Sequence, residues 1–325
     1  MSRFDELLAF LEKADQILVV SHLHPDGDAI SSTLAMGYLL KQSGKQVTMV
    51  NENPVPRKFS FLPGVEEIQP VEQVSGTFQY VIALDCADKE RMGACRFLIR
   101  DDAVIVNLDH HATNDRFGDI NIVVPEAAAT VEIIFDWAEE NHFPIGEPLA
   151  ACLYTGLLTD TGGFRYSNTS PKVLRQAARL VETGIEAHKI ADRALETVTM
   201  EQLKLLQGAL STLQKSDDGL IAWMFLSKEE MEKVAVSHEA LDGIVNYARN
   251  IYGVDVGILY REENDGTVKV SFRSREQVDV GQVAKAFGGG GHARAAGCSM
   301  RGTLREVHER VFKAVQSRLK QECEV

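Results

Sequence analysis

The stretch QILVVSHLHPDGDAISSTLAMGYLLKQSG, residues 16–44, decides the fold. It opens as an apolar, β-branched run, crosses a short loop rich in His and Asp, and resumes with apolar residues at helical spacing that stop at Gly44. A buried strand feeding a helix is the first half of a βαβ unit. The same grammar spreads outward along the chain. QVTMVNE (46–52), QYVIALD (79–85) and AVIVNLD (103–109) read as further buried strands, and PEAAATVEIIFDWAEENH (125–142) reads as a helix with Pro125 near its first turn. Leu149, Leu153, Leu157 and Leu158 recur at helix spacing until TDTGG interrupts them, which puts Asp160 near a helix end. The fold class is α/β, with a doubly wound parallel sheet over residues 1–195.

Beyond residue 170 the pattern is helical without strand signals, and residues 196–216 read as a helical linker. A second unit, 217–325, begins at the Asp217-Asp218-Gly219 turn and the strand GLIAWMFLS. VDVGILYREE and TVKVSFRS flank Asn264-Asp265-Gly266 as a hairpin. Val280, Val283, Ala284 and Phe287 form one helix face, and a helix over about 303–321 ends the chain. This unit is α+β and smaller than the first.

Length and composition narrow the function classes. The chain has 325 residues, 45% of them apolar and 25% charged, which suits two folded domains and excludes a disordered chain. The formal net charge is -13, so the surface as a whole repels a long polyanion. Unless basic residues are concentrated locally, a duplex-coating protein is not expected. No stretch approaches the ~20 apolar residues of a membrane span, and the acidic amphipathic start is unlike a signal peptide. The expectation is a cytoplasmic protein. Cys86, Cys95, Cys152, Cys298 and Cys323 form no CxxC pair and read as free thiols.

Chemistry concentrates at the carboxyl ends of the predicted strands, where α/β sheets place ligand sites. The first strand runs into His22-Leu23-His24-Pro25-Asp26-Gly27-Asp28. The next two long strands end in Asp85 and in Asp109-His110-His111, and Asp160 adds a carboxylate after a helix. Any one such Asp is ordinarily a turn former or helix cap, and Asp28 alone would read as the cap of the following helix. The set is different. Hard oxygen and imidazole donors without thiolate suit Mn, Mg, Fe or Co, and their number exceeds what one ion needs. A two-metal centre would use them all and would act on phosphorus. His24 is either a substrate contact or a solvated loop residue. His142, His188, His238 and His308 have no ligand-like companions and read as surface or satisfied histidines.

HLHPDGDAI, LDCAD, NLDHH and LLTDTGGF resemble the four motifs of the DHH phosphoesterases, and GGGGHARAAG (288–297) is similar to the signature of the DHHA1 domain that follows in one subfamily. One departure is Ser31, where the family often has Gly. The resemblance implies an active site in the cleft between the two domains. It implies one ion on His22, Asp26 and Asp85, a second on Asp28, Asp85, His110 and Asp160, and Asp85 as the bridge. Asp109 would orient a histidine ring, and His111 would face the phosphate as donor or general acid. Arg165 is either a phosphate contact or a surface arginine. The cofactors implied are two divalent ions, with Mn²⁺ favoured. Among compact two-domain members the chain is most similar to the nanoRNases, which degrade very short oligoribonucleotides and dephosphorylate 3'-phosphoadenosine 5'-phosphate.

The glycine run carries its own signal. Helical glycine costs about 1 kcal/mol relative to alanine, so four in a row need positive φ or a close backbone approach. Gly289, Gly290 and Gly291, with His292, Arg294 and Arg273, form a candidate cradle for a nucleotide phosphate, and Arg275 could point the same way. The alternative is a tight turn. At 7% aromatic content there is no stacking platform for a long single strand, so short substrates such as pAp fit better. Competing readings share the metal site: a family II pyrophosphatase lacks the GGGGH signature, a RecJ-type exonuclease is longer, and pApA from cyclic-di-AMP turnover is an alternative substrate. A metal-stabilised nucleotide sensor has no need of a complete ligand set. The sequence leaves the oligomeric state open, a homodimer included.

Overall fold

The computed structural model describes residues 3–234, 241 and 243–322; His238 and Cys323 lie outside them. The chain divides into two compact units, Met1–Thr197 and Val198–Val325.

The first unit runs α1 (Asp5–Lys13), β1 (Gln16–Val20), α2 (Gly27–Gln42), β2 (Gln46–Asn51), β3 (Ile68–Pro70), β4 (Phe78–Leu84), β5 (Ile99–Asp109), β6 (Ile120–Val123), α3 (Thr130–Glu140), α4 (Glu147–Asp160), α5 (Pro171–Glu182) and α6 (Ala187–Ala191). Its sheet is parallel in the order β3-β2-β1-β4-β5-β6, with Val20 beside Val50 on one side and Ala83 on the other. Strand alternation sends Ile17 and Val19 into a core shared with α1 to α4, and Leu18 and Val20 into a second core. That second face is covered by the 3₁₀ segment Lys89–Leu98 through Met92, Cys95 and Leu98. The edge strands β3 and β6 have only three and four residues and left no readable run in the sequence. Ser31 is fully buried within α2.

One boundary is corrected. The helix expected to open near Pro125 begins at Thr130, because residues 125–129 serve other partners. The Ala127 carbonyl lies 3.3 Å from a ring nitrogen of His110, and the Ala128 N–H donates to Glu132.

The second unit comprises α7 (Met200–Ser211), β7 (Gln214–Lys215), β8 (Ile221–Leu226), α8 (Lys228–Glu232), α9 (Ile244–Arg249), β9 (Val256–Glu262), β10 (Thr267–Ser274), α10 (Val280–Ala286), β11 (Gly290–His292), β12 (Ala295–Arg301) and α11 (Leu304–Glu322). The sheet order is β11-β12-β10-β9-β8-β7, antiparallel except for β8 beside β9. α7, within the stretch read as a linker, buries Leu205 and Ala209 with Ala222, Met224 and Leu226 of β8. α10 and α11 pack on the opposite core, where Val280, Val283, Val307 and Val311 meet Ile258 and Phe272.

His308 is also corrected. It is half-buried among Trp223, Phe225, Tyr260 and Phe312, and its buried Nδ1 makes no hydrogen bond. The reason is helical geometry: position 308 follows Val307 on the face that α11 turns to the sheet. Among the described residues no helix is long and apolar enough to cross a membrane.

Candidate metal centre

β1 and β4 are neighbours in the sheet, yet the chain leaves β1 in one direction and reaches β4 from the other. Their carboxyl ends form the topological switch point, where open α/β sheets hold ligands. His22 lies two residues beyond β1 and Asp85 directly after β4, while Asp109 closes β5 and Asp160 closes α4. Asp26 caps α2, accepting the N–H groups of Asp28 and Ala29 at 3.1 Å each. Its cap role and its place in the cluster coexist.

The two buried imidazoles are set alike. His22 Nδ1 donates to the Leu23 carbonyl at 2.7 Å, so its Nε2 is turned toward Asp85 Oδ2 at 3.4 Å and Asp26 Oδ1 at 3.7 Å. His110 Nδ1 faces the Ala127 carbonyl, and its Nε2 lies 3.5 Å from Asp85 Oδ1 and 3.3 Å from Asp160 Oδ2. A carbonyl can only accept, so in each ring Nδ1 is the donor to it and Nε2 is the nitrogen presented to two carboxylates. Those separations are long for hydrogen bonds and short enough for donors to share a cation. This is the outer-shell arrangement that fixes a metal-binding histidine.

Asp85 stands between them with one oxygen toward each ring. It is 2% exposed, and its backbone is left-handed at φ 56°, a conformation that costs a non-glycine residue of order 1 kcal/mol and that Asp tolerates better than most. Its N–H donates to the Leu108 carbonyl at 3.0 Å, tying the turn to β5.

Within the first unit, donor atoms converge to within 4.8 Å of one another in three groups: His22, Asp26 and Asp85; Asp28, His110 and Asp160; and Asp85, Asp109 and His111, with Asp85 shared by the first and the last. Charge shows what the cluster lacks. Burial, then repulsion from Asp85 and Asp26, pushes Asp28 well above the usual carboxylate range; burial and four neighbouring carboxylates do the same to Asp160. Burial works against protonating His22, yet the facing carboxylates of Asp26 and Asp85 overcome it and raise its pKa to about 10. Burial likewise opposes ionisation of Asp85, but His22, His111 and His110 hold it ionised. A site that crowds carboxylates and draws protons onto imidazole has a deficit of positive charge. Divalent cations fit that deficit and that oxygen and nitrogen donor set.

Asp109 is fully buried and does a different task. One oxygen accepts from His111 Nδ1 at 2.7 Å and from the His110 N–H at 2.8 Å, and the other accepts from Asn114 Nδ2 at 2.7 Å. Burial opposes charging His111, and the Asp109 bond together with Asp85 reverses that and raises its pKa. Asn114 also reaches the Cys86 carbonyl and Asn107. His24 is exposed, with φ 52° and its N–H donating to Asn53. Arg165 is exposed and leans back on the Gly162 carbonyl.

In the second unit the glycine run is a strand edge rather than an open loop. Gly290, Gly291 and His292 pair with Gly297, Ala296 and Ala295 of β12. A Cβ on Gly289 would run into the Gly297 carbonyl, and one on Gly291, where φ is 135°, into Ala295 and Ala296. Much of the close approach is therefore made by the chain itself. Gly290 differs: a Cβ there meets nothing within 4 Å, so the fold places no steric demand on it. Arg273 donates to its neighbour's carbonyl and Arg294 to Val278, while His292 is exposed. The exposed Arg275 guanidinium donates to the Arg249 and Asn250 carbonyls at the end of α9. His142 and His188 are exposed.

Sequence reasoning missed Thr130 and Asn114, both in contact with the carboxylate cluster. A single Thr between alanines and a valine carries no signal that it will meet Asp28 and Asp85, distant in the chain, and a single Asn in a polar loop none that it will turn back to Asp109.

Residues 16–157 match the DHH family, N-terminal domain, and residues 232–321 match the DHHA1 domain. The chain belongs to the DHH family of phosphoesterases, among the members with a C-terminal DHHA1 domain. It is 36% identical over 305 residues to the bifunctional oligoribonuclease and PAP phosphatase NrnA of Thermus thermophilus, covering 93% of this chain and 90% of that one. The Bacillus subtilis protein of the same name is 27% identical, over 91% and 92%. A crystal structure of an exopolyphosphatase-related protein from Bacteroides fragilis superposes with a TM-score of 0.90 at 28% identity, covering 98% of this chain and 97% of that one. The family's divalent-metal chemistry and the carboxylate–imidazole cluster agree.

Proposed function

We propose that the chain hydrolyses oligoribonucleotides of a few nucleotides to mononucleotides and removes the 3'-phosphate of 3'-phosphoadenosine 5'-phosphate, using two divalent ions, Mn²⁺ in preference to Mg²⁺. The observation that carries this reading is Asp85, a buried carboxylate with one oxygen toward each of two imidazoles whose other nitrogens face backbone carbonyls. His22, Asp26 and Asp85 would hold one ion, and Asp28, Asp85, His110 and Asp160 the other. Bound there, the ions supply Lewis-acid polarisation of the phosphate and activation of a water. His111, oriented by Asp109, holds a proton at the edge of the cluster and delivers it to the departing oxygen. Arg165 neutralises phosphate charge. Arg273, Gly289, Gly290, Gly291, His292 and Arg294 bind the nucleotide, with Gly290 leaving room for it. Imidazole donors favour Mn²⁺ over the harder Mg²⁺.

The NrnA relatives, named for both activities, support the substrate class, and the net charge of -13 favours short substrates over long ones. The test is a rate panel in Mn²⁺ with pAp, pApA, 5-mer RNA, 24-mer RNA, cyclic-di-AMP and pyrophosphate. Fast turnover of pAp, pApA and the 5-mer, with a steep fall at the 24-mer, is expected. Equal rates on both RNA lengths would indicate a RecJ-like exonuclease, and turnover of pyrophosphate alone a pyrophosphatase.

A further inference from the structure

Helix α3 starts without a cap of its own, because its N-cap position is Ala129. A carboxylate from another helix takes its first N–H groups. Thr130 donates its N–H to Asp28 Oδ2 at 2.6 Å, and Val131 donates to Asp28 Oδ1 at 3.1 Å. The fully buried Thr130 side chain reaches elsewhere: its Oγ1 donates to Asp85 Oδ1 at 3.0 Å. One residue thus holds two carboxylates of the cluster, Asp28 through its main chain and Asp85 through its hydroxyl.

We infer that Thr130 is a positioning residue of the metal centre, setting the rotation of the bridging Asp85 carboxylate. The terminal torsion of Asp is broad and nearly two-fold, so packing alone specifies its plane poorly. A single hydroxyl donor on Oδ1 settles that plane and leaves the second lone pair of the same oxygen for a cation. The donor must itself be rigid. Thr130 is β-branched and sits on a helix start with little room to move, since a Cβ on Gly156 of α4 would clash with Val131 and Asp28. Glu132, in the same turn, accepts the Ala128 N–H at 2.7 Å and pairs with Lys172 at 2.8 Å. The positive end of the α3 dipole further favours the ionised form of Asp28.

This inference rests on the two-metal reading, and the experiment separates the two. Chelator-stripped wild type, Thr130→Val and Thr130→Ser are titrated with Mn²⁺, and free Mn²⁺ is followed by electron paramagnetic resonance with no substrate present. Valine keeps the shape and removes the donor; serine keeps the donor. Loss of such an outer partner weakens metal binding about 10–100-fold, so Thr130→Val should show that loss and Thr130→Ser should stay within about threefold of wild type. If circular dichroism shows that Thr130→Val does not fold, Thr130→Ala against Thr130→Ser decides the same point. Wild-type affinity in the variant lacking the hydroxyl, or equal weakening in the serine variant, would overturn the role of the hydroxyl and leave the two-metal reading standing. A wild-type protein that binds no Mn²⁺ overturns both.

Discussion

The carboxylate cluster of the first unit and the glycine hairpin of the second carry equally distinctive sequence motifs, yet they are built in opposite ways. In the cluster, His22, Asp28, Asp85, Asp109 and His110 are buried and tied to one another or to backbone groups. In the hairpin, Gly290 to His292 are exposed, and the neighbouring arginines rest on carbonyls of their own unit. Groups that must stay fixed while charge develops are preorganised at the expense of burying carboxylates. If the hairpin binds the nucleotide as proposed, its exposed groups are free of that constraint. The contrast teaches that one motif specifies a geometry and the other specifies an opening.

The harshest test of the contrast is Asp85→Asn, which keeps the shape, tolerates the left-handed backbone and removes the charge. Turnover should fall by at least about a thousandfold, some 4 kcal/mol of barrier, with the circular dichroism spectrum unchanged. A variant with a tenth of wild-type activity would show that Asp85 is not the bridge.

A milder effect is expected in the hairpin. Arg273→Ala and His292→Ala should lower dinucleotide cleavage about 10–100-fold through lost binding and orientation, while hydrolysis of the small ester bis-p-nitrophenyl phosphate stays within about twofold. Equal loss on both substrates would place these residues in the chemistry and dissolve the distinction between the two regions.

The smallest effect concerns His308, a half-buried polar group outside both motifs. Burial lowers its pKa from 6.5, with Glu309 opposing weakly. Its folded pKa lies below the unfolded one, so its contribution to stability is present above pH 6.5 and is lost as pH falls from there toward the folded pKa. Because the ring is only half-buried, the effect after solvent screening is below about 1 kcal/mol. Thermal melts at pH 7.5 and 5.5 should show His308→Phe less sensitive to acid than wild type. Identical sensitivity would remove His308 as a contributor.

What was legible in the sequence was whatever repeats or runs. The long buried strands β1, β2, β4 and β5 announced themselves, and so did the Asp and His residues at their ends, because strand direction fixes where such residues must lie. The short edges β3 and β6 carry too few residues for a period. The start of α3 was misplaced because its cap comes from Asp28, about a hundred residues earlier in the chain, and local capping rules see only neighbours. Gly289 and Gly291 looked like a ligand's approach, but half of that signal came from β12, a partner only the folded sheet reveals. The burial of His308 was missed for the same reason, its aromatic neighbours coming from other elements.

The cluster draws its side chains from His22 through Asp160, and Asp160 stands on the last turn of α4. A chain emerging from the ribosome therefore completes the parallel strands well before it can complete the full set of donors. Cation binding can stabilise only the finished first unit, by about 2.7 kcal/mol when the free ion stands at a hundred times its dissociation constant. With the proposed ions bound, the metal supply would thereby bear on the stability of the finished unit as well as on its turnover.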